Sequence, residues 1–368
     1  MKIVVDRDLL LKNISKVIPI AVKAKTLNIL EYLLIEVEDT VVLTSNDMNV
    51  QIQTEFNTEI IEKGSCLVKA KLFSEIIKKM PSNNEIVLEK KNNEIFIHCG
   101  KIEFKLPTLD PQDFPKMERK QTENRISINK DEFIKSIDMV VFSASKEDIR
   151  PTLKGVLFEK KDDKLFFVAL DGHRLSVKNV DYTSIDGEIS KIIPAETLDD
   201  VTKIAQLEDV EEINISFFEN QAYFIIGSTN VICSLIAGKF FDYRNAIPNE
   251  HSTKVIINSE ILNSSIERAT IVTREDKLDA PLVIFDINEN SFVVQSISST
   301  GKYDEELLCN VDGKHQRIGF NAKYFLEVFK VIKGDIEIKF VNQTSPCILR
   351  LIDDDKFIYV VLPLRMPE

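Results

Sequence analysis

One short run invites a chemical reading. In Leu170-Asp171-Gly172-His173-Arg174-Leu175 a carboxylate stands two positions before an imidazole, and such a pair can pass a proton. Catalysis asks for more than that. The chain carries four histidines, His98, His173, His251 and His315, so general bases are scarce, and no nucleophile or metal partner accompanies the run. Asp353-Asp354-Asp355 has the charge density of a cation site, yet it lies between the β-prone runs CILRLI and FIYVVL. A solvated hairpin turn is the better reading there. The Gly-Lys pairs (GKIE, GKFF, GKYD, GKHQ) lack the Ser or Thr after lysine and the upstream glycine of a phosphate loop. HExxH, zinc-like Cys/His spacing and GxSxG are missing as well. Five scattered cysteines without CxxC spacing read as reduced thiols. The expectation is a protein without metal, without cofactor and without catalysis of its own.

The elements that would position these residues come in triplicate. IVVDRDLLLKNISKVIPIA opens at Ile3, ISINKDEFIKSIDMVVFSA at Ile126 and VIINSEILNSSIERATIVT at Val255. Each begins as a short strand and passes through Asp6, Asn129 or Asn258, all good helix N-cap types. An apolar stripe follows at one register: Leu10, Ile14, Val17, Ile18, Ala21; then Phe133, Ile137, Val140, Val141, Ala144; then Leu262, Ile266, Ala269, Thr270, Thr273. Those steps mark one face of an α-helix. Within each copy a second unit opens at Val68, Ile193 and Phe320, each followed two positions on by alanine and then by Phe73/Ile76, Leu198/Val201 and Phe325/Val328. The remaining β-prone runs alternate around tight turns, which implies antiparallel sheet. Such a period is too long for a solenoid. It predicts an α+β fold of three repeated domains, 1–122, 123–250 and 251–368, each of two helices backed by antiparallel sheet. The histidine of the first run recurs in neither other copy, where TSNDMNV and SISSTGKY stand, so it marks a specialisation of one copy, for catalysis or for docking.

Net charge is −12, unlike a domain that binds nucleic acid by bulk affinity. The charge is uneven, however. Arg7, Lys12, Lys16, Lys23 and Lys25 meet only Asp8 in the first helix segment, and Lys71, Lys78 and Lys79 oppose Glu75 in the second. Lys323, Lys330 and Lys333 oppose Glu327 in the last, whereas the second copy reverses the sign with Glu196, Asp199 and Asp200. Lysines of this kind either solvate an amphipathic helix or line a shared basic face. No run reaches the length of a membrane helix, and the N-terminus reads as strand and cap, not as a signal peptide.

Four segments in order make a family resemblance specific: Asp171-Gly172-His173-Arg174-Leu175, then GKFFDYRNAIP over Gly238–Pro248, IGFNAKYFLEVF over Ile318–Phe329, and YVVLPLRM over Tyr359–Met366. Within a threefold repeat, the chain resembles the bacterial DNA polymerase III β subunit, the sliding clamp, over its whole length. The resemblance implies a head-to-tail homodimer that closes a ring around duplex DNA, with helices lining the hole. It implies cytoplasmic, nucleoid-associated work as a processivity factor. An acidic chain then holds DNA by topology, through weak, sequence-independent phosphate contacts. Lys12, Lys16, Lys25, Lys71, Lys78, Lys323 and Lys330 are the candidate DNA contacts, and Phe104 and Leu106 against Ile271 and Val272 the candidate subunit contacts.

The same resemblance implies a pocket for short apolar peptides of the replicative polymerase and the clamp loader. Carried over by motif position, it comprises Leu153, Leu170, Gly172, His173, Arg174, Leu175, Phe241, Asn245 and Ala246. Asn321, Tyr324, Val360, Leu362, Pro363, Leu364 and Arg365 complete it. Three positions depart from the family pattern: Leu170 for a frequent Thr, Phe241 for a usual Pro, and Asn245 for a position often basic. Phe241 is bulky enough to narrow the groove and alter ligand preference.

Overall fold

Each repeat opens with a strand that hands directly to a capped helix. In the computed structural model, which describes residues 1–23, 27–118, 124–147, 149–273, 281–289, 291–299 and 301–366, these helices are α1 (Arg7–Lys23), α3 (Lys130–Val141) and α5 (Ser259–Thr273). The second helices are α2 (Ala70–Lys79), α4 (Ala195–Leu207) and α6 (Ala322–Val328). The N-caps are those the sequence predicts. Asp6 Oδ1 accepts from the N–H groups of Asp8 and Leu9, both at 2.9 Å. Asn129 Oδ1 accepts from Asp131 and Glu132, and Asn258 Oδ1 from Glu260 and Ile261. Two otherwise unpaired amides are thereby satisfied at each helix start.

The chain gathers into two compact units. Met1–Ile134, Tyr182–Ile189 and Glu196–Leu235 form one; Lys135–Asp181, Ser190–Ala195 and Ile236–Glu368 form the other. The middle third is thus shared out, although the sequence repeat treats it as one piece. The reason lies in the strand pairing. In the first unit, Val50–Phe56 from the first third pairs with Thr229–Ser234 from the middle third, in the register Ile52↔Val231 and Thr54↔Thr229. Fourteen strands of the described residues thereby run as one antiparallel sheet. In the second unit, Arg174–Val180 pairs with Phe357–Val361 near the C-terminus, with Leu175↔Val360 and Val177↔Ile358. That seam makes a nine-stranded sheet, beside a four-stranded one. Pairing these strands leaves no open edge at either seam, where exposed N–H and C=O groups would template aggregation.

Apolar faces of the helices turn inward as the periodicity predicts. α5 buries Leu262, Ile266, Ala269 and Thr273, the first three in a cluster with Phe285, Phe292, Phe320 and Phe325. The Phe285 ring lies 5.1–5.3 Å from its three neighbours, in the tilted and edge-on geometries that aromatic pairs favour. α1 departs from the prediction. Its buried face is Leu10, Asn13, Ile14, Lys16, Val17, Ile20 and Ala21, so Asn13 and Lys16 enter the core side and Ile18 is only half-buried.

Lys16 is the clearest correction to the sequence reading. Its side chain is 2% exposed, and Nζ donates to Glu208 Oε1 at 2.7 Å and to Asn13 Oδ1 at 3.0 Å. A lysine so enclosed is not presented to phosphates. Glu208 Oε1 also accepts from the Thr229 hydroxyl at 2.6 Å and the Ser228 hydroxyl at 3.1 Å, while Thr54 donates to Asn13 at 3.0 Å. The network therefore sits on the seam itself, at the Thr54↔Thr229 pair. Burial works to raise the Glu208 carboxyl, but the hydrogen bonds from Lys16 and Thr229 outweigh it and hold the group below the ordinary carboxylate range. A depressed folded-state value means that Glu208 stabilises the fold above its unfolded titration. The contribution is lost as pH falls through the lowered value. Replacing Lys16 alone by Met strands a buried carboxylate and should cost about 3–5 kcal/mol. Lys16→Met with Glu208→Gln should recover most of that loss and flatten the acid limb of stability, as read by urea melts at several pH values. Equal stability of the single and double variants would remove the pair from this account.

Candidate functional site

The Asp171–Arg174 turn is built by its own first residue. Asp171 Oδ1 accepts from the main-chain N–H of His173 at 2.9 Å and of Arg174 at 3.0 Å. Gly172 sits at φ +90, where an L side chain would be strained. Arg174 Nε closes the turn onto Asp171 Oδ2 at 3.0 Å. The carboxylate that suggested proton transfer is thus committed to holding the loop. The His173 ring stacks on Tyr324 with centroids 6.3 Å apart and planes 17° apart. The His173 carbonyl accepts from Leu362 N–H at 2.8 Å, which pins the C-terminal segment to the turn.

Arg174 is the busiest side chain of the site. Nη1 pairs with Glu327, Nη2 donates to the Phe142 carbonyl at 2.6 Å, and the guanidinium lies 4.8 Å from the Tyr324 ring centroid and 5.4 Å from that of Phe142. Its planar fork serves several acceptors at once, as a lysine could not. A ligand therefore meets a fixed wall at Arg174, not a mobile rim charge.

Facing this turn is the loop Gly238–Pro248. Tyr243 OH and Arg244 Nη2 both donate to Glu159 Oε2, at 3.0 and 2.7 Å. Burial, reinforced by the Glu159 charge, pushes the Tyr243 phenol up, so it stays a donor. Phe240 and Tyr243 are buried while Phe241 is 52% exposed. The staple leaves one aromatic ring standing out from an anchored loop.

Between loop and turn lies a cleft of about 290 Å³. Of the predicted residues it gathers Leu153, Leu170, Gly172, His173, Arg174, Leu175, Phe241, Ala246, Val360 and Leu362. Leu153, Leu170, Leu175 and Val360 are also members of the buried core cluster beneath it, so they are wall and core together. The other predicted residues stand behind or beside the cleft. Asn321 caps α6, its Oδ1 accepting from Lys323 N–H at 3.1 Å. Tyr324 carries the His173 and Arg174 stacks. Asn245 donates to Asp242 Oδ2 at 2.8 Å. Leu364 bonds the Gly319 carbonyl at 2.8 Å, past Pro363, and Arg365 is exposed. Arg150 and Pro346 line the cleft although the sequence reading misses them. Arg150 precedes the short turn Pro151–Lys154 that carries Leu153, and Pro346 precedes the strand Cys347–Leu351 that pairs with Phe357–Val361. Nearness to Leu153 was the available signal for Arg150; Pro346 has no chosen residue beside it in the sequence.

The other candidate surfaces divide similarly. Lys12, Lys71 and Lys78 are exposed in the first unit and Lys323 and Lys330 in the second; Lys16 is buried, and Lys25 lies outside the described residues. Lys23 is 2.7 Å from Asp200. Phe104 is 42% and Ile271 60% exposed, and Val272 is half-buried. Leu106 is buried opposite Ile95, turned into its own sheet, which corrects its assignment as a subunit contact. Asp353–Asp355 lie in the turn before Phe357–Val361. Asp354 there accepts from Lys356 N–H at 2.8 Å and pairs with Lys178 at 3.3 Å.

Three consecutive domain models match the chain: the N-terminal domain of the DNA polymerase III beta subunit over residues 1–118, the central domain over 127–242 and the C-terminal domain over 244–365. The beta sliding clamp of Staphylococcus epidermidis is 30% identical, with 99% of each chain covered. Among solved structures, the DNA polymerase sliding clamp of Bacillus subtilis superposes with a TM-score of 0.92 at 27% identity. The sliding clamp of Bartonella birtlesii bound to griselimycin reaches 0.94 at 26%, and both comparisons cover 100% of each chain. From its first strand to its last, this chain belongs to the DNA polymerase III beta subunit family, the sliding clamps.

Proposed function

We infer that the chain is a DNA polymerase processivity clamp whose unit of action is a ring of two copies around duplex DNA. The observation that carries this is the family match in three consecutive parts along nearly the whole chain. The proposed domains are 1–122, 123–250 and 251–368. Holding DNA by enclosure reconciles a net charge of −12 with DNA as partner, since only the enclosing face then needs to be basic. No helix of the described residues is long and apolar enough to cross a membrane, and we place the protein with the nucleoid. The test is retention: after loading, the protein should stay on nicked circular DNA and run off the same DNA once linearised. Equal loss from both forms would refute enclosure.

The apolar cleft is the proposed tether for short peptides of the replicative polymerase and the clamp loader. Apolar walls with a few fixed polar groups suit such a ligand. Leu362, 37% exposed, can be shortened without opening the core. Leu362→Ala should cost about 2 kcal/mol of peptide affinity, the scale of an interface hot spot, whereas Arg365→Ala should change it little. Titration of a fluorescent Gln-Leu-x-Leu-Phe peptide by anisotropy reads both, and the opposite ranking would displace the cleft as the site.

Phe104, Ile271 and Val272 are the proposed subunit contacts. Phe104→Ala with Ile271→Ala should yield a folded monomer by sedimentation, and a persistent dimer would count against them. The proposed DNA contacts are Lys12, Lys71, Lys78, Lys323 and Lys330, with Lys25. Each lysine that neutralises a phosphate adds about −0.9 to the slope of log K against log salt. Lys12→Ala with Lys71→Ala should therefore flatten that slope without changing the dimer. An unchanged slope would mark both as plain solvated surface.

A further inference from the structure

We propose that Glu327, on α6, is a positioning residue for the peptide cleft, an inference that rests on the tethering reading of that cleft. Glu327 does not line the cleft. Its carboxylate reaches Arg174 Nη1 from behind, and Arg174 in turn holds Asp171 through Nε. Asp171 fixes the amides of His173 and Arg174, and the His173 carbonyl takes the N–H of Leu362. The path runs from a helix to the turn and then to the apolar anchor, through hydrogen bonds that each leave the next group one orientation.

The choice of partner is informative. Lys323 stands four residues before Glu327 on α6, a spacing at which helix neighbours meet, and Lys330 lies in the turn just after the helix. Both are exposed, yet the ion pair of Glu327 among the described residues is with Arg174. Arg174 is 8% exposed and Glu327 25%, so the pair is shielded enough for its geometry to matter. Without Glu327, Arg174 keeps Asp171 and the Phe142 carbonyl but loses the contact that sets its guanidinium between the Phe142 and Tyr324 rings. His173 stacks on the same Tyr324 ring, so the turn and the ring that face a ligand loosen together.

The experiment uses the full-length protein and the fluorescent peptide, with Glu327→Ala, Glu327→Gln and Leu362→Ala. Glu327→Ala should weaken binding about tenfold, the equivalent of one charge-assisted hydrogen bond. The His173 ring protons should move toward their unstacked chemical shifts. Glu327→Gln keeps an acceptor oxygen in place and should restore most of both. Glu327→Ala binding as tightly as the unaltered chain, while Leu362→Ala binds weakly, would overturn this inference alone; so would a glutamine variant as weak as the alanine one. Indifference to Leu362→Ala would overturn the cleft reading and this inference with it.

Discussion

Main-chain pairing between Arg174–Val180 and Phe357–Val361 is the constraint on which the site depends. It sets Leu175 opposite Val360 and delivers Leu362 to the His173 carbonyl. Side chains far apart in sequence become neighbours through the ladder, before any side-chain contact is considered. A slip of one residue in this register would turn Val360 away from Leu175, to the opposite face of the sheet. Lys178, which reaches Asp354 across the seam, fits the observed alignment and acts as a register mark.

Both seams carry a buried cation. Lys16 and Glu208 sit at the Thr54↔Thr229 pair of the first unit. Arg174 and Lys178 sit on the seam strand of the second, Lys178 being 2% exposed. Burying a charge is costly unless it is paired and hydrogen-bonded. Each of these is, and each lies where strands from different thirds of the sequence meet. Apolar alternation alone fits several pairings of similar strands in a repeated chain. A charge that finds its partner in one pairing only discriminates among them, as polar groups do in other interfaces that must choose a register.

Much of this was legible in the residues. Period and cap types predicted the helices, and Asp6, Asn129 and Asn258 do what their types suggest. Much of the cleft was legible through motif order, because most of its walls fall in or beside three of the motif segments, Asp171–Leu175, Gly238–Pro248 and Tyr359–Met366. What escaped was set by partners distant in sequence. Lys16 reads as one lysine among several on a basic helix until Glu208, nearly two hundred positions away, claims it. Leu106 and Phe104 share a strand face, and only the packing of the sheet decides which one is covered. Pro346 borders the cleft through the fold of its chain segment, which no local pattern encodes. Glu327 resembles an ordinary surface acid between lysines until Arg174 is seen beside it.

The sharing of the middle third has a consequence for how the chain comes apart. A cut after residue 122 separates Val50–Phe56 from Thr229–Ser234, and a cut after residue 250 separates Arg174–Val180 from Phe357–Val361. Each cut then bares strand edges and parts a buried cation from a carboxylate, Lys16 from Glu208 in the first case and Lys178 from Asp354 in the second. The sequence repeat is therefore not the unit in which the strands pair. Proteolytic nicking at either border should leave fragments that stay associated, since the ladders that join them outlast the severed peptide bond.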